Sequence, residues 1–347
     1  MKVGLLTSGG DCQGLNAALR GVAKSLYGAV PELELYGIHD GYLGLIEGIW
    51  QRMEPRDFSG ILREGGTILG TSRQPFKKMQ EADDSSPDKL TMMVRNCKSE
   101  KFDSLVILGG NGTHKTAHLL SQHGVNVVTL PKTIDNDLYG TDYSFGFDSA
   151  VAKAAEVLDV VHSTAASHGR VFVVELMGHK AGWVALYAGI AGGADVILIP
   201  EIIYDTDKVY DVIENRNRSG KNFTIIAIAE GAVAKNAKKE RRDPQPTAGA
   251  KLVNELTDRL TQDVRLLIPG HFQRCGDPTP TDRVFCSRLG AKAAELILKK
   301  KFGRMVALKG TEIVSVPLEK VAGKLKIIPP DCEVLGQGRM LGISFGD

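Results

Sequence analysis

Residues Leu130-Pro131-Lys132-Thr133-Ile134-Asp135-Asn136-Asp137 gather, in one short stretch, a fixed positive charge, a hydroxyl and two carboxylates. One of the carboxylates, Asp135 or Asp137, can accept a proton from a substrate hydroxyl while Lys132 steadies negative charge nearby. Phosphoryl transfer calls for that combination. The same residues also suit an Asx-rich turn whose carboxylates only bond local backbone amides, so the stretch alone leaves both readings open. It follows the apolar run 125–129 and precedes Tyr139-Gly140-Thr141-Asp142-Tyr143, the pattern of a buried strand emptying into a loop. Ligands of open α/β sheets bind at such loops.

Two glycine loops share a second pattern. Residues 2–7 read as a strand, followed by Ser8-Gly9-Gly10-Asp11-Cys12-Gln13-Gly14-Leu15-Asn16 and a helical run over 17–27. Residues 105–108 repeat the arrangement, with Gly109-Gly110-Asn111-Gly112-Thr113 opening a helix that runs to Leu120. Backbone amides and the helix dipole converge at such junctions and favour anions. Each loop alone is equally well read as a tight turn that needs glycine for packing, and neither has the dinucleotide or P-loop spacing. Together they could grip a chain of phosphates from two sides. Gly112 has no side chain, so a bulky group can pass over it, while His114 and Lys115 read as solvated surface. Gly65-Gly66-Thr67-Ile68-Leu69-Gly70-Thr71-Ser72-Arg73 ends on a guanidinium whose planar fork suits phosphate. Residues 169–175 form a further strand that leads into Met177-Gly178-His179-Lys180-Ala181-Gly182-Trp183.

The elements that must position these groups alternate along the chain. Strand patterns recur at 35–39, 195–200, 224–229, 265–269, 306–309 and 313–317, and helical ones at 89–97 (with its start in 83–88), 150–162, 206–217, 250–261 and 283–300, before a tail. Such alternation predicts an α/β fold with largely parallel sheets and helices on both faces. With 347 residues the chain exceeds the size of a usual single core, which predicts two lobes. The 43 basic and 41 acidic residues leave a net charge of +2. The short cluster Lys238-Lys239-Glu240-Arg241-Arg242 reads as a solvated loop and not as a nucleic-acid patch. Five cysteines, without metal-ligand spacing, fit a reducing, cytoplasmic compartment. The N-terminus has no signal-peptide pattern, and the apolar stretch 183–200 is broken by Gly189, Gly192, Gly193 and Asp195, so no membrane span and a soluble protein are expected.

In their order these motifs resemble the 6-phosphofructokinase family over nearly the whole chain. The likeness rests on residues 7–11, 65–67, 109–113, 131–137 and 140–143, with Met177-Gly178, Ala191-Gly192-Gly193, Pro200-Glu201 and Gly270-His271-Phe272-Gln273-Arg274. The texture is that of a bacterial branch mixing ATP-dependent and pyrophosphate-dependent members. The resemblance implies two Rossmann-like lobes: 1–137 with part of the C-terminal region for the phosphoryl donor, about 138–300 for the sugar phosphate, and 301–347 returning to the first lobe. It implies Mg²⁺-dependent transfer to the 1-hydroxyl of fructose 6-phosphate, with Asp135 as general base, Thr133 and Lys132 beside it, and Asp137 holding the metal. It also implies that Gly10, Arg73, Gln74, Gly109, Gly110, Asn111 and Gly112 line the donor site. Arg170, Arg265, His271 and Arg274 would hold the sugar phosphate, and Glu230 with Met177, Gly178 and His179 the sugar hydroxyls. In the family the counterparts of Arg170 and Arg265 come from a neighbouring subunit, which implies a homodimer or homotetramer.

Three departures from the family pattern matter. Asn111 stands where an acidic residue usually lies near the metal, and His179 replaces an arginine. Glycine at 112 leaves room for ATP, whereas Lys132 is the usual companion of pyrophosphate; because an absent side chain cannot block a nucleotide, ATP is the expected donor and pyrophosphate the alternative. Of the basic positions that bind a regulatory nucleotide in the best-known bacterial members, Arg20 and Lys24 are retained but His162 takes an arginine's place, so regulation of that type is not expected. A sugar-phosphate sensor would have no need for Asp135, and a kinase of seven-carbon ketose phosphates would differ only in pocket shape.

Overall fold

Aliphatic and β-branched runs bounded by glycine form the strands of the computed structural model, which describes residues 1–81, 87–237 and 246–347. The basic cluster at 238–242 and most of the helix start expected at 83–88 lie outside the described residues. The elements in chain order are β1 (Lys2–Ser8), α1 (Leu15–Ala29), β2 (Glu34–Ile38), α2 (Tyr42–Glu47), β3 (Trp50–Met53), α3 (Lys89–Glu100), β4 (Ser104–Gly109), α4 (Asn111–Gln122) and β5 (Val127–Pro131). There follow α5 (Phe147–His168), β6 (Val171–Leu176), α6 (Trp183–Ala191), β7 (Val196–Leu198), α7 (Thr206–Arg218), β8 (Thr224–Ala229), α8 (Ala248–Thr257), β9 (Val264–Leu267), α9 (Pro280–Leu298), β10 (Arg304–Lys309), β11 (Glu312–Pro317), α10 (Leu318–Val321) and α11 (Glu333–Met340).

Two compact units emerge: Met1–Ile134, Leu138–Ser149 and Arg274–Lys326 form the first, and Asp135–Asp137, Ala150–Gln273 and Ile327–Asp347 the second. The first holds a seven-stranded sheet of order β11-β10-β5-β4-β1-β2-β3. Its five inner strands are parallel, and β3 and β11 pair antiparallel at the two edges. Every residue of β4 is buried, as the unbroken apolar run predicts for a central parallel strand. Leu6, Leu105, Ile107, Val127 and Met305 pack there with Met93 of α3 and Ala117 of α4. The second unit holds a four-stranded, wholly parallel sheet, β7-β8-β6-β9, with Val173, Ile226, Ile228, Leu198 and Leu252 in its core. The largely parallel α/β architecture is therefore as the alternation of patterns requires.

The unit boundaries fall elsewhere than at 137 and 300. Helix α9 belongs to the first unit, because it packs on α1 through paired glycines: a Cβ on Gly21 would lie 2.9 Å from the Ser287 carbonyl, and one on Gly290 2.6 Å from that of Ala18. Its close approach to α1 is a long-range fact that local periodicity does not carry. The C-terminal region also divides. Strands β10 and β11 extend the first sheet beyond β5, whereas the tail joins the second unit, where Ile197 donates to the Ser344 carbonyl at 2.9 Å and Phe345 is buried. That tail contains α11, where the sequence pattern showed no helix. Helix α5 starts earlier than the expected residue 150, because Asp282 of α9 caps it by accepting from the amides of Gly146 (3.2 Å) and Ser149 (3.0 Å) and the Ser149 hydroxyl (2.6 Å).

Candidate active site

Parallel pairing of β1 and β4, with Ser8 opposite Gly109, brings the two glycine loops of the first unit side by side at the strands' C-terminal ends. Gly9 takes a left-handed φ of 87°, which favours glycine. At Gly10 a Cβ would stand 3.1 Å from Arg274 Nη1 and 3.3 Å from Arg73 Nη2, so both guanidinium groups reach the loop. Lys132, 4% exposed at the end of β5, donates its ammonium to the Gly10 carbonyl. Three cations thus gather at the first loop, which makes it a site for several phosphate charges. Arg274, expected among the sugar-phosphate contacts, reaches this loop, where Nη1 donates to the Asp11 carbonyl at 2.8 Å. Gln74 accepts from Lys89 at 2.7 Å.

The second loop is open where an added side chain would matter most. Gly112 is exposed, and a Cβ built on it would meet nothing within 4 Å. Gly109 and Gly110 lie beside it at the head of α4. Asn111, expected near the metal, is tied to the chain after α10: its carboxamide oxygen accepts from the Gly323 amide and its nitrogen donates to the Lys324 carbonyl, both at 3.0 Å. An aspartate could not donate to that carbonyl, which gives a physical reason for asparagine here. His114 is not the solvated surface expected of it, whereas Lys115 is partly exposed. His114 is 2% exposed, with Nδ1 2.8 Å from the Gly110 carbonyl, and burial pushes its pKa down to about 4. Lys115 lies 5.8 Å over the Phe76 ring.

From Leu130 to Leu138 every residue is buried except Asp135, which is partly exposed. Thr133 and Asp137 flank it, and Asn136 turns the backbone at a φ of 49°, a conformation asparagine tolerates better than most residues. Asp135 is thus the one acidic residue of this stretch that packing leaves partly exposed.

In the second unit, β6 and β8 end in register, Leu176 opposite Ala229, which sets Met177, Gly178 and His179 beside Glu230. Glu230 accepts from the amides of Gly178 (3.1 Å) and His179 (2.7 Å), and Met177 donates to Gln273 Oε1 at 3.2 Å. His179 is held at a φ of 52°. His271 lies in the short 3₁₀ turn Gly270–Arg274 that follows β9, at the same end of the sheet. Arg170 and Arg265 lie at the other end: both pair with Asp263, at 3.4 and 2.8 Å. With the six residues of β6 between them, Arg170 and Met177 lie about 23 Å apart at some 3.3 Å per residue step. One chain's second unit thus keeps the two arginines away from its other expected sugar contacts.

Sequence reasoning missed the supports of these loops. Tyr42 donates to the Thr113 carbonyl at 2.8 Å, and Thr71 to the Gly9 carbonyl at 2.7 Å. Nothing in residue type or spacing distinguishes such hydroxyls from ordinary core or turn groups. Asp282 has its pKa pushed up to about 6 by burial, against the hydrogen bonds it accepts from Ser149 and Gly146.

A parallel α/β scaffold with paired glycine loops and clustered cations suits a protein that handles phosphate groups. The model for phosphofructokinase matches residues 2–297, and the chain belongs to the phosphofructokinase family. The ATP-dependent 6-phosphofructokinase of Spirochaeta thermophila is 49% identical over 99% of this chain and 97% of its own length. ATP-dependent 6-phosphofructokinase 3 of Bacteroides thetaiotaomicron is 47% identical over 100% of both chains. Among solved structures, phosphofructokinase from Saccharomyces cerevisiae superposes with a TM-score of 0.81 at 30% identity, covering 92% of this chain and 45% of that one. A pyrophosphate-dependent phosphofructokinase from Marinobacter aquaeolei gives 0.83 at 22% identity over 99% and 92%, a likeness of fold alone.

Proposed function

We propose that the chain transfers the γ-phosphoryl group of ATP to the 1-hydroxyl of D-fructose 6-phosphate, giving fructose 1,6-bisphosphate, the phosphofructokinase step of glycolysis in the cytoplasm. The observation that carries the reading is the single partly exposed carboxylate, Asp135, in an otherwise buried stretch beside Lys132 and Thr133. As the 1-hydroxyl oxygen attacks the γ-phosphorus, Asp135 accepts its proton; the bond from that phosphorus to the bridging oxygen breaks and ADP leaves. Gly10, Arg73 and the Gly109 to Gly112 backbone would hold the donor's phosphates, with Gln74 nearby and charge from Lys132 and Arg274 spread over them. Glu230 with Met177, Gly178 and His179 would hold the sugar hydroxyls, and His271 the sugar's phosphate. The open surface at Gly112 favours the nucleotide over pyrophosphate, and the attachment of Lys132 to the Gly10 loop accounts for a lysine in an ATP-using enzyme.

Among the described residues no group of three or more His, Cys, Asp or Glu side chains is placed to hold a metal. Magnesium bound through one or two carboxylates and substrate phosphates needs no such group. Asp137 would supply a carboxylate to an ion carried on the nucleotide's phosphates. When bound, the ion would neutralise charge on the phosphates. The separation of Arg170 and Arg265 from the other sugar contacts supports a homo-oligomer in which they complete a neighbour's site. Asp135→Ser should lower turnover by roughly two orders of magnitude or more while sugar-phosphate binding survives. Near-normal turnover in a coupled assay refutes Asp135 as the base.

A further inference from the structure

The carbonyls of the first glycine loop are taken, one after another, by side chains from four different places in the first unit. Ser8 accepts from the Thr113 hydroxyl at 3.4 Å, Gly9 from the Thr71 hydroxyl at 2.7 Å, Gly10 from the Lys132 ammonium and Asp11 from Arg274 Nη1 at 2.8 Å. A planar trans peptide sets its N–H opposite its C=O. Holding the carbonyls of Gly9, Gly10 and Asp11 therefore fixes the direction of the N–H groups of Gly10, Asp11 and Cys12. That direction decides whether the loop attracts or repels phosphate, because amide hydrogens bind an anion and carbonyl oxygens oppose it. Two successive glycines leave these peptides easy to turn, so an external hold matters more here than in an ordinary loop.

We propose that Thr71 is a positioning residue for the phosphoryl donor, acting through the peptide between Gly9 and Gly10. It is neutral, so unlike Lys132 and Arg274 it adds no charge of its own to the phosphates. The peptide before Gly9 is already committed, since the Gly9 amide donates to the Ser72 carbonyl at 3.0 Å. Residues 71 and 72 therefore hold the first loop from both sides of Gly9, and the Thr71 hydroxyl sets the direction of the Gly10 amide.

The inference rests on the nucleotide-donor reading above, and titration calorimetry of the full chain with ATP and with inorganic tripolyphosphate separates the two. Thr71→Val keeps the branched shape and deletes the donor, and Thr71→Ser restores it. The valine variant should bind both probes roughly tenfold more weakly, the worth of one net hydrogen bond. The serine variant should return close to wild type, and KM for fructose 6-phosphate should stay unchanged. A valine variant that binds as tightly as wild type, or that raises both KM values together without rescue by serine, overturns the proposal. Should Thr71→Val fail to fold, Thr71→Ala read against Thr71→Ser decides. Wild-type protein that binds neither probe overturns the donor reading and this inference with it, whereas wild-type binding with an unaffected valine variant overturns this inference alone.

Discussion

His114 stays neutral because burial removes the water that would stabilise its charge, and nearby Lys132 adds to the effect. With Nδ1 against the Gly110 carbonyl, the proton sits on Nδ1, and Nε2 is buried without a partner. Its pKa falls from 6.5 to about 4, so across that window the unfolded chain binds a proton that the folded one does not. The stability involved is complete above pH 6.5 and is lost as pH falls towards 4, on the order of 3 kcal/mol in all. Denaturant unfolding from pH 7 to 4 should therefore fall less steeply for His114→Asn than for wild type; parallel slopes contradict the assignment. Residue type had pointed to surface here, because a histidine followed by lysine in a helix's first turn looks solvated. At Asp135, by contrast, type and loop position matched the partial exposure found. The difference is that a polar loop announces exposure, while a buried imidazole depends on packing from distant strands.

At the scale of elements, the proposed choice of donor rests on the open head of α4. Steric exclusion outweighs one added charge, so Gly112→Asp should raise KM for ATP by roughly tenfold or more while affecting a pyrophosphate probe far less. Equal effects on both donors would dismiss the steric account. Parallel strands, glycine loops and the helices that follow them were legible, since β1, β4, β6 and β8 are continuous apolar runs with clear punctuation. Short antiparallel β3 and helix α11 were not. Their apolar positions are few, and their places are settled by pairing with β2 and by packing of the tail, which no local period encodes.

For the whole molecule, the two compact units were predictable from length, but their boundaries were not. Helix α9 returns to α1 through glycines 269 positions apart, Gly21 and Gly290, and such an encounter leaves no local trace. The position of Arg170 and Arg265 carries the prediction that belongs to this scale. Arg170→Ala and Asp135→Ser proteins, each nearly inactive, should regain activity when dissociated together and reassembled, because hybrid oligomers would contain some intact shared sites. Absence of any regain in proven hybrids contradicts sites shared between subunits. The central claim, a kinase that uses ATP on fructose 6-phosphate, meets its most direct test in one measurement: initial rates of purified protein with fructose 6-phosphate and Mg²⁺, run in parallel with ATP and with pyrophosphate. Fructose 1,6-bisphosphate should form rapidly with ATP and little should form with pyrophosphate; a faster rate with pyrophosphate, or no product with either, would contradict it.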